Sequence, residues 1–187
     1  MSNSNSYLNL EVFSWVMVFL FGVLLSNVIP TIVGTTPSNN VESSICPKTR
    51  NPSFCASVLK SGGSTDLKAL ATYTLNLALT NVGKSMTLAK SLASTTTNSQ
   101  LKKLYLSCSE NYNNAMGDVE NAQNYLATSD FNGVNLATSG VMTAVDDCQD
   151  SFEQPLIDTS LLSENGKTLI DICSIILVIS NLLPGPI

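Results

Sequence analysis

Apolar and small residues recur along most of the chain with the spacing of amphipathic α-helices. Between about residues 100 and 127 they recur at steps of three and four, which places them on one helix face: Leu101, Leu104, Cys108, Tyr112, Ala115, Val119, Ala122 and Leu126. After a polar break at 128–130, the same spacing resumes at Val134, Thr138, Val141, Val145, Cys148 and Phe152. The pattern therefore predicts two consecutive helices, at about 100–127 and 131–153.

Each of these two predicted helices carries one cysteine on its apolar face. Two such faces that pack together can bring the sulfur atoms within bonding distance, so we predict a disulfide between Cys108 and Cys148. The bond would close a loop of about 40 residues and contribute roughly 4 kcal/mol in the chain-entropy model. That contribution is a large share of the net stability of a small domain.

Two further helices are predicted, one on each side of this pair. The first spans about 66–92, with an inward face made of Leu67, Leu70, Ala71, Leu75, Ala78, Val82, Met86, Ala89 and Ala93. The second spans about 163–183, with an inward face made of Leu169, Ile172, Cys173, Ile176, Ile179, Ser180 and Leu183. No strand-like alternation bounded by hairpin turns occurs. Four amphipathic helices with short connectors predict an all-α fold, an up-down-up-down four-helix bundle.

A short unit with two cysteines precedes the predicted bundle. Cys46 and Cys55 lie in the segment ICPKTRNPSFC, where Pro47 and Pro52 occupy positions typical of helix ends. The two cysteines could close a small helical hairpin or bind a metal ion. We favour the disulfide, because the chain has no histidine and no Cys-x-x-Cys pair to complete a metal site.

The N-terminal part of the chain has the pattern of a secretory signal peptide. Val12–Leu25 is an apolar run relieved only by serine and glycine. An uncleaved anchor is the alternative, but it needs about 20 apolar residues. The predicted boundaries are 1–34 for the signal peptide with a short flexible segment, and 35–187 for one domain with a hairpin at 41–61 and a bundle at 64–183. We expect no membrane attachment after the signal is removed.

Composition excludes several classes of function. The net charge of −5 and the absence of a basic cluster argue against a nucleic-acid partner. Without histidine, the chain lacks Ser-His-Asp and Cys-His nucleophiles, and it contains no nucleotide-binding glycine motif. Five cysteines indicate an oxidising compartment, with Cys173 left over as a buried free thiol on the inner face of the fourth helix. We therefore expect a binding protein with no catalytic residue, metal or cofactor.

Carboxylates are the remaining candidate chemistry. Glu110, Asp118 and Glu120 are expected on the outer face of the second helix, and a group of aspartates lies near the end of the third. A paired-carboxylate glycosidase is conceivable, but a narrow bundle offers no evident cleft. We interpret these carboxylates as a solvated acidic surface.

The chain resembles the plant invertase/pectin methylesterase inhibitor family. The resemblance covers nearly all of 43–184 and rests on four strings: ICPKTRNPSFC, LYLSCSENYNNAM, SDFNGVNLATSGVMTAVDDCQDSFEQP and ICSIILVISNLLPG. It implies a signal peptide, an N-terminal helical hairpin and a four-helix bundle. It also implies disulfides Cys46–Cys55 and Cys108–Cys148, with Cys173 free.

The family has two activities, inhibition of pectin methylesterase and inhibition of acid invertase. Invertase inhibitors often carry a Pro-Lys-Phe segment, which this chain lacks; the corresponding loop is 95–101. The resemblance implies a secreted cell-wall protein that binds pectin methylesterase one-to-one and covers its substrate cleft. Expected target-binding residues are Glu110, Asn111, Asn114, Asp147 and Asp150. The alternatives are an inhibitor of cell-wall or vacuolar acid invertase and a secreted carrier of an apolar ligand.

Overall fold

The structure, a computed structural model, describes residues 40–152 and 156–183. Two short helices, α1 (Asn40–Ile45) and α2 (Pro52–Gly62), flank a 3-10 turn at Cys46–Lys48. Four longer helices follow: α3 (Leu67–Thr95), α4 (Ser99–Ala127), α5 (Phe131–Asp150) and α6 (Leu162–Leu182). The predicted signal peptide lies outside the described residues. Within them, no helix combines the length and apolar character needed to span a membrane.

The four long helices form a ring in which each packs against two neighbours. Consecutive helices are in contact, and α6 packs back against α3. The connectors before α4 and α5 are three residues long, so those neighbours run antiparallel. The predicted all-α four-helix bundle with an N-terminal hairpin and two disulfides is confirmed.

Polar residues before α3, α4 and α5 act as N-caps, which explains where these three helices begin. Asp66 accepts a hydrogen bond from Ala69 N before α3, and Asp130 accepts one from Gly133 N before α5. Asn98 accepts from the first backbone N–H groups of α4. Each bond satisfies a donor that the helix itself leaves unpaired.

The α5 helix is shorter than its apolar spacing predicted. It ends at Asp150 rather than near residue 153. Ser151 Oγ donates to the Cys148 carbonyl at 2.7 Å, and Phe152 N donates to the Gln149 carbonyl at 3.2 Å. These bonds occupy carbonyls of the last helical turn and close the helix before the predicted end.

The N-terminal hairpin packs against α6. Arg50 N donates to Ser174 Oγ at 3.0 Å. Asn51 accepts from Phe54 N as the α2 N-cap and donates its amide to Asp171 at 2.9 Å. Because the hairpin covers a second face of α6, Ile170 and other residues outside the predicted inward face of that helix are also buried.

Candidate functional site at the seam between α4 and α5

A buried disulfide joins α4 to α5. Cys108 and Cys148 are 0% and 1% exposed, and their Cα atoms are 4.7 Å apart. This short distance holds the two helices in close contact near the beginning of α4 and the end of α5. The disulfide therefore sets the register of these antiparallel helices.

Two glycines of α5 continue this close approach towards the other end of the bundle. A Cβ atom at Gly140 would lie 2.6 Å from Asp118 Oδ2, and one at Gly133 would lie 2.5 Å from Tyr125 Cγ. Real Cβ atoms do not approach other heavy atoms this closely. Glycine at these two positions allows side chains of α4 to lie directly on the backbone of α5.

These contacts recur every seven residues along both helices, in opposite directions. Tyr125 of α4 lies on Gly133 of α5, and Asp118, seven residues earlier in α4, lies on Gly140, seven residues later in α5. One further step of seven residues in each helix places Asn111 of α4 beside Asp147 of α5. We call this surface the α4–α5 seam, defined by Asn111, Asp118, Tyr125, Gly133, Gly140 and Asp147.

The Asp118 carboxylate lies in the seam rather than on the outer face of α4, so the sequence-based expectation for this residue is wrong. It is half-buried and has no hydrogen-bond or ion-pair partner among the described residues. Burial raises the pKa of Asp118 above its usual value, because the charged form loses hydration. The seam thus contains one carboxylate that gains protons more readily than a surface aspartate.

The five residues expected to bind a target lie at the disulfide end of the seam or close to it. Glu110, Asn114, Asp147 and Asp150 are exposed, whereas Asn111 is half-buried. The heptad register pairs Asn111 with Asp147. Glu110 and Asn114 also line a shallow depression with Lys90 of α3. Asp150 lies one turn beyond Asp147, at the last position of α5.

Sequence reasoning missed two exposed apolar side chains on this surface. Leu136 is 75% exposed and Tyr125 is 38% exposed. Leu136 follows Gly133 by three residues and precedes Gly140 by four, so it lies on the seam side of α5. The opposed heptad spacing in α4 and α5 was the signal in the sequence that could have identified these positions.

Cys173 lies within the bundle, away from the surface. It is 0% exposed and unpaired, and burial raises the pKa of its thiol to about 12. A thiol with so little thiolate is a poor nucleophile. Across residues 40–152 and 156–183, no group of three or more potential ligands is placed to hold a metal ion.

Comparison with known proteins identifies the family. Residues 40–179 match the family model described as plant invertase/pectin methylesterase inhibitor. The chain belongs to this family. A pectinesterase inhibitor from Actinidia deliciosa is 39% identical over 150 residues, which cover 79% of this chain and 81% of the relative. Pectinesterase inhibitor 2 from Arabidopsis thaliana is 35% identical over 142 residues, which cover 74% of this chain and 82% of the relative.

Solved structures of the plant invertase/pectin methylesterase inhibitor family share the fold. Mutant form A of a pectin methylesterase inhibitor from Arabidopsis has a TM-score of 0.73 and 34% identity, over 78% of this chain and 98% of that one. A second structure, of a pectin methylesterase inhibitor from Arabidopsis thaliana, has a TM-score of 0.63 and 33% identity, over 80% of this chain and 99% of that one. The resemblance inferred from the cysteine-containing strings is confirmed. These relatives are named as inhibitors, not as enzymes.

Proposed function

We propose that this protein is a secreted inhibitor of plant pectin methylesterase in the cell wall. The observation that carries the proposal is the 39% identity, over 81% of its length, to a protein named pectinesterase inhibitor. We propose further that the α4–α5 seam binds the enzyme in a one-to-one complex and covers its substrate cleft. The predicted signal peptide supports secretion.

The geometry of the seam suits it to binding a protein. Two helices joined by a buried disulfide present a rigid surface, which loses little conformational entropy on docking. Leu136 and Tyr125 can supply the apolar centre, where most of the binding free energy of an interface is concentrated. Glu110, Asn111, Asn114, Asp147 and Asp150, which lie towards the disulfide end of the seam, would extend the interface on that side and meet polar or basic groups of the enzyme.

The two alternative functions have less support. An invertase inhibitor shares the fold, but the named relatives are pectinesterase inhibitors and the chain has no Pro-Lys-Phe segment. A carrier of an apolar ligand needs a cavity of several hundred Å³ or more. Large side chains such as Tyr112 and Leu169, each 0% exposed, occupy the described interior instead.

Inhibition assays with the mature domain test this function. We expect one equivalent to abolish the activity of a sensitive plant pectin methylesterase and to leave acid invertase unaffected. Full inhibition of invertase without any effect on the methylesterase would reverse the assignment. No loss of methylesterase activity with a folded, disulfide-bonded sample would contradict the proposal.

Substitutions in the seam test where the enzyme binds. Leu136→Ala is expected to weaken inhibition about tenfold to a hundredfold, because an apolar side chain at the centre of an interface contributes about 1–3 kcal/mol. Asp147→Asn and Asp150→Asn are each expected to have smaller effects, since charges at a rim contribute little. The control is Leu161→Ala, which removes a leucine that is 69% exposed outside the seam. Equal losses in the two leucine variants would place the interface elsewhere.

The affinity for the enzyme is expected to rise as pH falls. Docking on the seam would bury Asp118 further and raise its pKa again, so the complex would bind a proton more tightly than the free inhibitor does. The gain in affinity is complete below the pKa that Asp118 has in the free inhibitor. It is lost as pH rises through the pKa that Asp118 has in the complex. Dissociation constants measured from about pH 4, near the ordinary pKa of an aspartate, to about pH 7 check this expectation.

The Asp118→Asn variant should make this pH dependence smaller, because the amide does not titrate. Glu120→Gln is the matched control, as Glu120 is an exposed carboxylate two residues further along α4. An affinity that rises with pH, or an unchanged pH profile in Asp118→Asn, would rule out this role for Asp118.

A further inference from the structure

Glycine occurs inside both helices of the seam, at Gly117 of α4 and at Gly140 of α5. Inside a helix glycine is less favourable than alanine, because more backbone freedom is lost on folding. The two positions differ in their surroundings. A Cβ atom at Gly117 would have no neighbour within 4 Å, whereas one at Gly140 would lie 2.6 Å from Asp118 Oδ2. Of these two glycines, only Gly140 leaves space that a side chain of the other helix fills.

The Asp118 carboxylate occupies the space beside Gly140. Its Cγ atom and its second oxygen are 3.0 Å and 3.5 Å from the position that a Cβ atom would take, so the whole group lies against the α5 backbone. An aspartate side chain has only two rotatable bonds and ends at this carboxylate. A methyl group at residue 140 would therefore turn the carboxylate towards solvent while the helices keep their separation.

No positive charge faces Asp118 from the two helices that form the seam. The titratable side chains nearest to it along the seam are Tyr125 and Asp147, each seven residues away in its helix register. Glu120 follows Asp118 by two residues and points to another side of α4. The nearest lysine of α4, Lys103, lies about 22 Å away along the helix axis. Because α3 and α6 pack on the other sides of α4 and α5, burial alone acts on the carboxylate and raises the pKa of Asp118.

We infer that Gly140 is a positioning residue for target binding: it keeps the Asp118 carboxylate inside the α4–α5 seam, where docking of the enzyme encloses it. The inference rests on the proposed function, because it concerns the surface assigned to the enzyme. With alanine at residue 140, the carboxylate would project from the seam. A projecting charged group would hold the two proteins apart or be buried without a partner, and either result weakens binding.

Gly133 makes a similar contact but is a poorer position for a test. A Cβ atom there would lie 2.5 Å from the Tyr125 ring and 2.7 Å from Asp130 Oδ2. Asp130 also accepts a hydrogen bond from Gly133 N as the N-cap of α5. Gly133→Ala would thus disturb the start of the helix together with the seam. At Gly140 the three nearest atoms all belong to Asp118, so a substitution there acts on one side chain.

The position of the carboxylate is tested with the inhibitor alone, by NMR titration of the Asp118 carboxyl carbon. In Gly140→Ala the pKa of Asp118 is expected to fall towards the ordinary aspartate value. The matched control is Gly117→Ala, which adds a methyl group in open space beside Asp118 and should leave that pKa unchanged. An unchanged pKa in Gly140→Ala would overturn the inference.

Urea unfolding checks that the substitution moves Asp118 and not the helices. Gly140→Ala is expected to be at least as stable as the wild type, since alanine is the better helix former. A clear loss of stability would show that the methyl group forces α4 and α5 apart, which would also overturn the inference.

Inhibition assays test the consequence for binding. Gly140→Ala is expected to weaken inhibition of pectin methylesterase about tenfold, and Gly117→Ala to leave it unchanged. Asp118→Ala removes the group that the methyl would displace, so adding Gly140→Ala to it should cause no further loss. Such non-additivity is expected when one residue acts through another. Equal weakening in the two backgrounds would overturn the inference, because the methyl group would then act without Asp118.

These measurements separate the role of Gly140 from the proposed function. A folded wild-type protein that leaves pectin methylesterase fully active would contradict the proposed function, whatever the NMR titration gives. A wild-type protein that inhibits the enzyme, together with a Gly140→Ala variant that inhibits equally well, would overturn only the role of Gly140.

Discussion

Replacing both Cys108 and Cys148 with alanine is expected to lower the free energy of unfolding by about 4 kcal/mol. The bond spans a sequence separation of 40 residues, and without it the unfolded chain gains conformational freedom. Urea unfolding of the oxidised protein and of the double variant measures the difference. The variant should also inhibit less well, since the disulfide sets the register of Asn111 and Asp147 across the seam.

The hairpin disulfide provides the matched control. Cys46 and Cys55 are separated by only nine residues, so removing both sulfurs should cost about 2.5 kcal/mol in the same chain-entropy model. The main contacts of the hairpin are with α6 and α3, so inhibition should change less than in the first variant. A larger loss of stability or inhibition from the hairpin variant would contradict this order.

Substituting Tyr112 by alanine is expected to destabilise the bundle by about 3–5 kcal/mol. The side chain is 0% exposed and is the largest of the fully buried residues. Its removal would leave a cavity in the centre of the four-helix bundle. Urea or thermal unfolding of the purified variant measures the loss.

The Tyr112→Phe variant separates the ring from the hydroxyl. Burial raises the pKa of Tyr112 to about 12 despite an opposing contribution from the Ser85 hydroxyl, yet neither hydroxyl oxygen completes a hydrogen bond. Removing an unpaired buried hydroxyl is nearly neutral, so we expect a change within about 1 kcal/mol. A loss of more than about 2 kcal/mol would show that the hydroxyl has a stabilising partner.

Helical periodicity predicted the core well because burial in a bundle follows the spacing of residues along each helix. On α4, the predicted inward positions from Cys108 to Leu126 are all buried. On α5, the same holds from Val134 to Cys148. Each of these faces contains one of the paired cysteines, so the disulfide could be predicted together with the faces.

The same periodicity failed for residues at the edge of a helix face. Asp118 was expected in solvent because its residue type is acidic and it lies beside the apolar face. Its surroundings depend on Gly140, which is 22 residues away in the chain and leaves space for the carboxylate. The spacing of residues within one helix gives no information about the shape of the neighbouring helix, so it could not predict that Asp118 is half-buried.

The sequence by itself determined the helices, their inward faces, the cysteines that pair and the family, because these depend on local spacing and on short strings of residues. Only the tertiary structure decided which side chains share the α4–α5 seam, how the hairpin rests on α6, and that Gly140 leaves space for Asp118. Those arrangements depend on the register and separation of helices far apart in the chain, which are set by packing after the helices have formed.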